Sequence, residues 1–181
     1  IWAFTKIYLS GIDLHIDVAS NVNFVGFLTA FTQVEFVDIR PLIAPYLKNF
    51  KNVPGSIVDM PYEDCSLRSI SCLSVAEHIG LGRYGDPLDP MGTKKAAAEL
   101  SRCLARGGHL YFSLPVGRPV LCFNAHRIHS PKQIVSYFPD LQLVEFSVYD
   151  DSHRFIENTD IASIENNKFA CGMFHFTKDS I

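Results

Sequence analysis

Three acids recur where apolar runs give out. Asp17 closes IDLHIDV, Asp38 stands near the end of QVEFVDI, and Asp59 lies in GSIVDMP. Asp38 follows Asp17 by 21 positions. In open α/β sheets, ligands bind beyond the carboxyl ends of the strands, and an acid about 20 residues after the first turn accepts hydrogen bonds from both ribose hydroxyls. Asp59 and the adjoining Met60 would then take an adenine amino group and cover the ring face. Any one such acid also suits a solvated strand end or a helix cap; the register of all three points to an adenosine site.

A second group of polar residues follows the fourth apolar run. Glu77 and His78 come directly after SISCLSVA, and GLGRYGDPLDPMG packs four glycines, two Asp-Pro steps, Arg83 and Tyr84 into one connection. Loops of this length commonly cover or shape a site, although Asp-Pro pairs also make plain rigid turns. Beyond the fifth run, GRPVLCFNAHRIHS supplies Arg118, Asn124, His126, Arg127 and His129. Histidine takes a proton near neutral pH, so His78 or His126 is a candidate base, with Glu77 beside it. The bland alternative for Glu77–His78 is a hydrogen-bonding pair at a helix start. Arg83, Tyr84, Asn124 and Arg127 are candidate substrate contacts. A metal held by Glu77, His78, Asp86, Asp89 and His126 is chemically conceivable, but no HxxxH or HxH spacing supports one, and none is expected.

Strands must present these groups. Apolar or alternating runs predict strands over 12–18, 33–39, 55–61, 69–76, 109–116, 141–150 and 168–178. Helices are predicted over 22–31, from Pro41, over 93–106 with Thr93 as N-cap and Gly107-Gly108 as the stop, and from Ser130-Pro131 to about Phe138. Strands alternating with helices imply a mostly parallel sheet with right-handed crossovers and helices on both faces; the two late strands imply an antiparallel addition at one edge. Phe112, Phe146, Phe174 and Phe176 read as sheet packing, and His15, His109, His153 and His175 as core or surface residues.

With 181 residues, 48% of them hydrophobic and 19% charged, the chain suits one domain over 1–181. A net charge of −3 disfavours a nucleic-acid partner. Five scattered cysteines without a CxxC pair read as reduced thiols, hence a cytoplasmic protein. No apolar run reaches membrane-spanning length. Ile1 in place of Met suggests trimming at the N-terminus, and the last three residues are expected to fray.

The succession HIDVAS, VEFVDIRPL, GSIVDMPYED, SISCLSVAEHIG and LARGGHLYFSLPVG resembles the motifs of class I S-adenosylmethionine (SAM) methyltransferases. SVAEHIGLGRYGDPLDPMGTKKAAAEL and CFNAHRIHSP are similar to the DUF268 family of uncharacterised methyltransferase-like proteins. The resemblance spans about 12–178 and implies a Rossmann-like α/β sheet of the class I methyltransferase kind. It implies SAM as cofactor, with Asp17 opening the first loop, Ala19 and Ser20 against the methionine end, Asp38 on the ribose, and Asp59 and Met60 lining the adenine. Glu77 and His78 would face a small-molecule or sugar-containing acceptor. The family's DxGxGxG turn is replaced by Asp17-Val18-Ala19-Ser20-Asn21-Val22-Asn23, in which small residues, or an Asn tolerating positive φ, must make the bend. A non-catalytic Rossmann-like module binding a nucleotide-sugar or a protein is the alternative; a nicotinamide oxidoreductase is disfavoured because GxGxxG is absent.

Overall fold

A computed structural model describes residues 1–40 and 42–179. Pro41, the expected helix start, lies outside the described residues, as do the last two of the three residues expected to fray. Eight strands form one sheet in the order β3-β2-β1-β4-β5-β10-β8-β9. The strands on the first side are β1 (Leu14–Val18), β2 (Gln33–Asp38), β3 (Phe50–Pro54), β4 (Leu67–Leu73) and β5 (Leu104–Val116), all paired in parallel. β10 (Ala170–Lys178) runs antiparallel between β5 and β8 (Leu141–Tyr149), and the two-residue β9 (Phe155–Ile156) closes that edge antiparallel to β8.

Alternation along the strands sends neighbouring side chains to opposite faces, and helices cover both. On one face α1 (Trp2–Ser10) and α2 (Val22–Leu28) pack Ile7, Val25 and Leu28 on Val34, Phe36 and Tyr111. On the other, α3 (Gly92–Cys103) and α4 (Pro131–Ser136) pack Ala96, Leu100 and Ile134 on Val37, Ile70 and Phe112. Phe112, Phe146, Phe174 and Phe176 are all buried there, the last with its ring centroid 4.6 Å from that of Phe138. Truncating such a ring costs about 3–5 kcal/mol.

The structure moves several boundaries. The third strand is Phe50–Pro54, not 55–61. It is a half-exposed edge strand with a weak apolar signal, whereas Ile57 and Met60 are apolar because the following loop folds back into the core. α3 begins one residue earlier, and Thr93 lies inside it, donating its hydroxyl to the Ala76 carbonyl instead of capping. It also ends at Cys103, because Leu104 is extended, fully buried and already paired with Leu67; tertiary pairing overrides the local helix preference. α1 and a hairpin of β6 (Val120–Cys122) and β7 (His126–Ile128) carry no counterpart in the sequence reading. α4 starts as expected, with the Ser130 side chain accepting from Gln133 N–H.

Candidate active site at the switch point of the sheet

The chain leaves β1 toward β2 and β3, then returns to β4 on the other side of β1. The two strand ends diverge there and leave a crevice. Both exits use a left-handed non-glycine residue, Ala19 (φ 53) after β1 and Ser74 (φ 58) after β4. Such a backbone costs an L-residue about 1–2 kcal/mol, so something must hold it.

Asp17 does so. It is completely buried; Ser20 N–H donates to its Oδ1 at 2.9 Å, and the Ser71 hydroxyl donates to Oδ2. Ser20 Oγ in turn accepts from Leu73 N–H at 3.0 Å. Since Ser71 Oγ gives its proton to Asp17, it accepts one from His15 Nε2 at 2.8 Å, and His15 Nδ1 accepts from Ser69 Oγ at 2.7 Å. Burial lifts the Asp17 carboxyl to about 6 against these hydrogen bonds, and pushes His15 down to about 3. Asp17 therefore braces the turn from behind and is not presented to a ligand, a correction to its expected place among the ligand contacts. The positive-φ residue is Ala19, not Asn21, which at φ −59 caps α2 by accepting from Asn23 N–H.

In front of this turn lies a cavity of about 600 Å³, lined among others by Ala19, Asp38, Ser56, Ser74, His78 and Tyr84. A second hollow of about 590 Å³ reaches Ser20 and Asn21, and the two share Ala19, Asp38, Arg40 and Ser74. Asp38 accepts on Oδ1 from Arg40 N–H at 2.7 Å, with Arg40 Nε 3.6 Å away; Oδ2 has no protein partner among the described residues. The Arg40 guanidinium sits 4.8 Å over the Tyr84 ring, joining the end of β2 to the loop after β4. No motif or spacing in the sequence marks Arg40, Ser56 or Ser74.

Asp59 and Met60 stand elsewhere. Asp59 is exposed in a tight turn, its N–H bonded to the Ser56 carbonyl, and Met60 is in the core with its N–H on Glu99. The β3 end brings Gly55, Ser56, Ile57 and Val58 to the cavity instead.

The 79–91 loop closes on itself at its base. A Cβ on Gly80 would lie 2.1 Å from the Asp89 carbonyl oxygen, and one on Gly92 2.2 Å from that of Ile79, so neither position admits a side chain. Asp86 gathers the loop by accepting from Gly80 and Tyr84 N–H groups. Arg127, buried at 9% exposure, donates to the carbonyls of Ile79, Gly80 and Asp89. Its guanidinium is committed to the loop, which corrects its expectation as a substrate contact. Tyr84 and Asp86 line the cavity; Arg83 is exposed, its Nε 3.2 Å from the Tyr84 hydroxyl. Asn124 is exposed at the hairpin turn, and His126 packs edge-on against Phe169 with centroids 5.4 Å apart; neither lines the cavity. His78 does, and its Nδ1 lies 2.5 Å from the Ala125 carbonyl. No group of three or more metal-ligating side chains occurs among the described residues, and no helix there is long and apolar enough to cross a membrane.

Sheet order, antiparallel β10 and the switch-point crevice together make this the class I methyltransferase fold, the Rossmann-like architecture. The chain belongs to the family described as "Caenorhabditis protein of unknown function, DUF268", which matches residues 61–171, more than half of it. Among solved structures, the [4+2]-cyclase SpnF superposes with a TM-score of 0.72 at 11% identity, over 98% of this chain and 79% of its own. The 1,6-didemethyltoxoflavin-N1-methyltransferase of Burkholderia thailandensis, solved with bound 1,6-didemethyltoxoflavin and S-adenosylhomocysteine, gives 0.71 at 10% identity over 98% and 76%. The N-methyltransferase NodS of Bradyrhizobium japonicum WM9, in complex with S-adenosylhomocysteine, gives 0.65 at 14% identity over 97% and 83%. No curated protein matches the sequence. At such identities the likeness is one of fold.

Proposed function

We propose that this chain is a SAM-dependent methyltransferase acting on a small-molecule or sugar-containing acceptor. The observation that carries the reading is one cavity, at the switch point, in which the left-handed Ala19 turn, Asp38 and His78 converge. Its volume falls within the range of about 300–1,000 Å³ usual for small-ligand sites. The residues fit the cofactor. SAM has no pyrophosphate, so the first turn needs only a small residue at positive φ, and Ala19 is one. Asp38 Oδ2 would accept from the ribose hydroxyls, and the backbone of Ala19, Ser20 and Ser74 would lie along the cofactor. Bound there, SAM supplies a methyl group on an electron-poor sulfur. The protein's share is to hold the acceptor in line, keep water out beneath the 79–91 loop, and receive a proton at His78. The methyltransferases of similar fold, solved with S-adenosylhomocysteine, support this assignment.

Calorimetry with S-adenosylhomocysteine tests it. Binding is expected for the native protein, and Asp38→Ala should weaken it by roughly 10- to 100-fold, since a hydrogen bond to a charged group contributes about 1.5–3 kcal/mol. No binding at millimolar ligand sinks the proposal. One observation favours a second reading, a non-catalytic binding module: Arg40 is already paired with Asp38 and stacked on Tyr84. On that reading, Asp38→Ala leaves the protein's properties unchanged.

A further inference from the structure

The tip of the 79–91 loop is a tight turn. Gly85 N–H donates to the Gly82 carbonyl, both glycines hold positive φ, and Arg83 and Tyr84 fill the two corners. Asp86 and the close backbone approach at Gly80 and Gly92 brace the loop beneath them. The corners are therefore presented from a fixed frame.

Several groups converge on Tyr84. The Arg40 guanidinium lies 4.8 Å and that of Arg83 5.6 Å from the centre of its ring. Arg83 Nε donates to the Tyr84 hydroxyl at 3.2 Å, and His78 meets the ring edge-on at 5.7 Å. His78 is held below its ordinary pKa chiefly by burial, and the Arg83 charge adds to this. Two guanidiniums beside one ring repel each other, and neither is fully neutralised. Arg40 approaches Asp38 through Nε, at 3.6 Å, and Arg83 forms no ion pair among the described residues. The Nη groups of both, and the Tyr84 hydroxyl hydrogen, find no protein acceptor there. Arg102, Arg127 and Arg154, by contrast, spend Nη groups on carboxylates or carbonyls.

The neighbouring acids are already engaged. Asp86 accepts from the Gly80 and Tyr84 N–H groups, and Asp89 from Met91 N–H and Lys95. Glu77, expected to face an acceptor, is 2% exposed beside His78 and does not line the cavity.

We propose that Arg40, Arg83 and Tyr84 form an anion clamp at the exposed rim of the cavity, and that the acceptor is a phosphate monoester. The acceptor assignment rests on the methyltransferase reading above; the clamp does not. A carboxylate has two oxygens in one plane and matches one guanidinium fork. The tetrahedral oxygens of a phosphate serve two forks and a hydroxyl arriving from different directions. Its charge, close to two at neutral pH, also answers two cations. Arg40 comes from the end of β2 and Arg83 from the loop after β4, so the bound phosphate ties that loop to the sheet. The organic part of the ester extends into the cavity, toward Ser74 and His78.

Proton–nitrogen NMR of the arginine Nε–H groups in the full chain tests the clamp without cofactor. Inorganic phosphate, titrated at constant ionic strength, should move the Arg40 and Arg83 resonances saturably. Arg106, exposed near the start of β5, should stay in place. Arg40→Ala and Arg83→Ala should each weaken phosphate binding roughly tenfold, and Tyr84→Phe roughly threefold. No saturable movement, equal movement of Arg106, or native phosphate affinity in Arg83→Ala overturns the clamp. If a variant does not fold, the native titration alone decides. Acetate moving the same resonances as readily overturns the choice of phosphate. Phenyl phosphate and a hexose phosphate address the acceptor. At least one should bind more tightly than inorganic phosphate, and if neither does, the acceptor assignment falls. Failure to bind S-adenosylhomocysteine beside a normal phosphate titration overturns the methyltransferase reading and leaves the clamp standing.

Discussion

Ala19 shows how a residue can replace a glycine when its surroundings insist. The sequence disclosed a small residue in the turn, but not which position would take positive φ, because that depends on Ser71 and Leu73 on another strand. Ala19→Gly should change stability by less than about 1 kcal/mol, since the relief of left-handed strain offsets the glycine's extra unfolded freedom. Ala19→Val puts a β-branched side chain into the same backbone and should destabilise by about 1–3 kcal/mol. Chemical denaturation distinguishes the two; equal losses would show the turn is not held as described. Asp38 and His78 were legible because their types and spacing carry the signal themselves. Asp59 was misplaced because an apolar loop folding into the core imitates a strand.

At the scale of elements, the 79–91 loop has its own architecture. Its Asp-Pro and glycine punctuation announced a long ordered connection, and Tyr84 and Asp86 do line the cavity. The role of Arg127 was not legible, since a basic residue near a candidate site reads as a ligand contact until the carbonyls it serves are seen. Arg127→Ala should cost about 2–4 kcal/mol, as three loop carbonyls, that of Gly80 buried, lose a charged donor. The same change should speed amide exchange across 79–91 while leaving β8 and β10 protected. Uniform loss of protection would contradict a local role. Gly80→Ala should do comparable damage, because the added methyl meets backbone that has no room to yield.

For the whole molecule, buried ionisable groups set opposing dependences on pH. Histidines held low, His15 at about 3 and His175 at about 4, give stability that is present above about 6.5 and lost as pH falls toward those values. Asp17 and Glu77, raised to about 6 and 7, act oppositely: their contribution is complete below about 4 and lost as pH rises through those values. Between pH 6.5 and 4 the native protein should therefore lose stability on acidification only in part. Asp17→Asn should steepen that loss and His15→Gln should lessen it, as urea melts at several pH values would show; the reverse order refutes the assignment. The layered sheet itself was largely legible, since four of the five parallel strands and the late antiparallel one each leave an apolar run, the half-exposed β3 being the exception. α1 was not, because the same apolar residues suit more than one element until Tyr111 and Phe36 give them a face.

The bracing of the first turn also bears on the order of folding. Glycine-rich turns carry their shape locally and can bend as soon as the chain is made. Here the bend depends on Ser71 and Leu73, 54 and 53 residues away, and thus on β4 having docked beside β1. Non-local contacts form late because the intervening chain must first be ordered. A ligand that needs the finished turn would find no rudiment of its pocket in the β1–β2 segment alone, and its binding would report on completed pairing of the central strands.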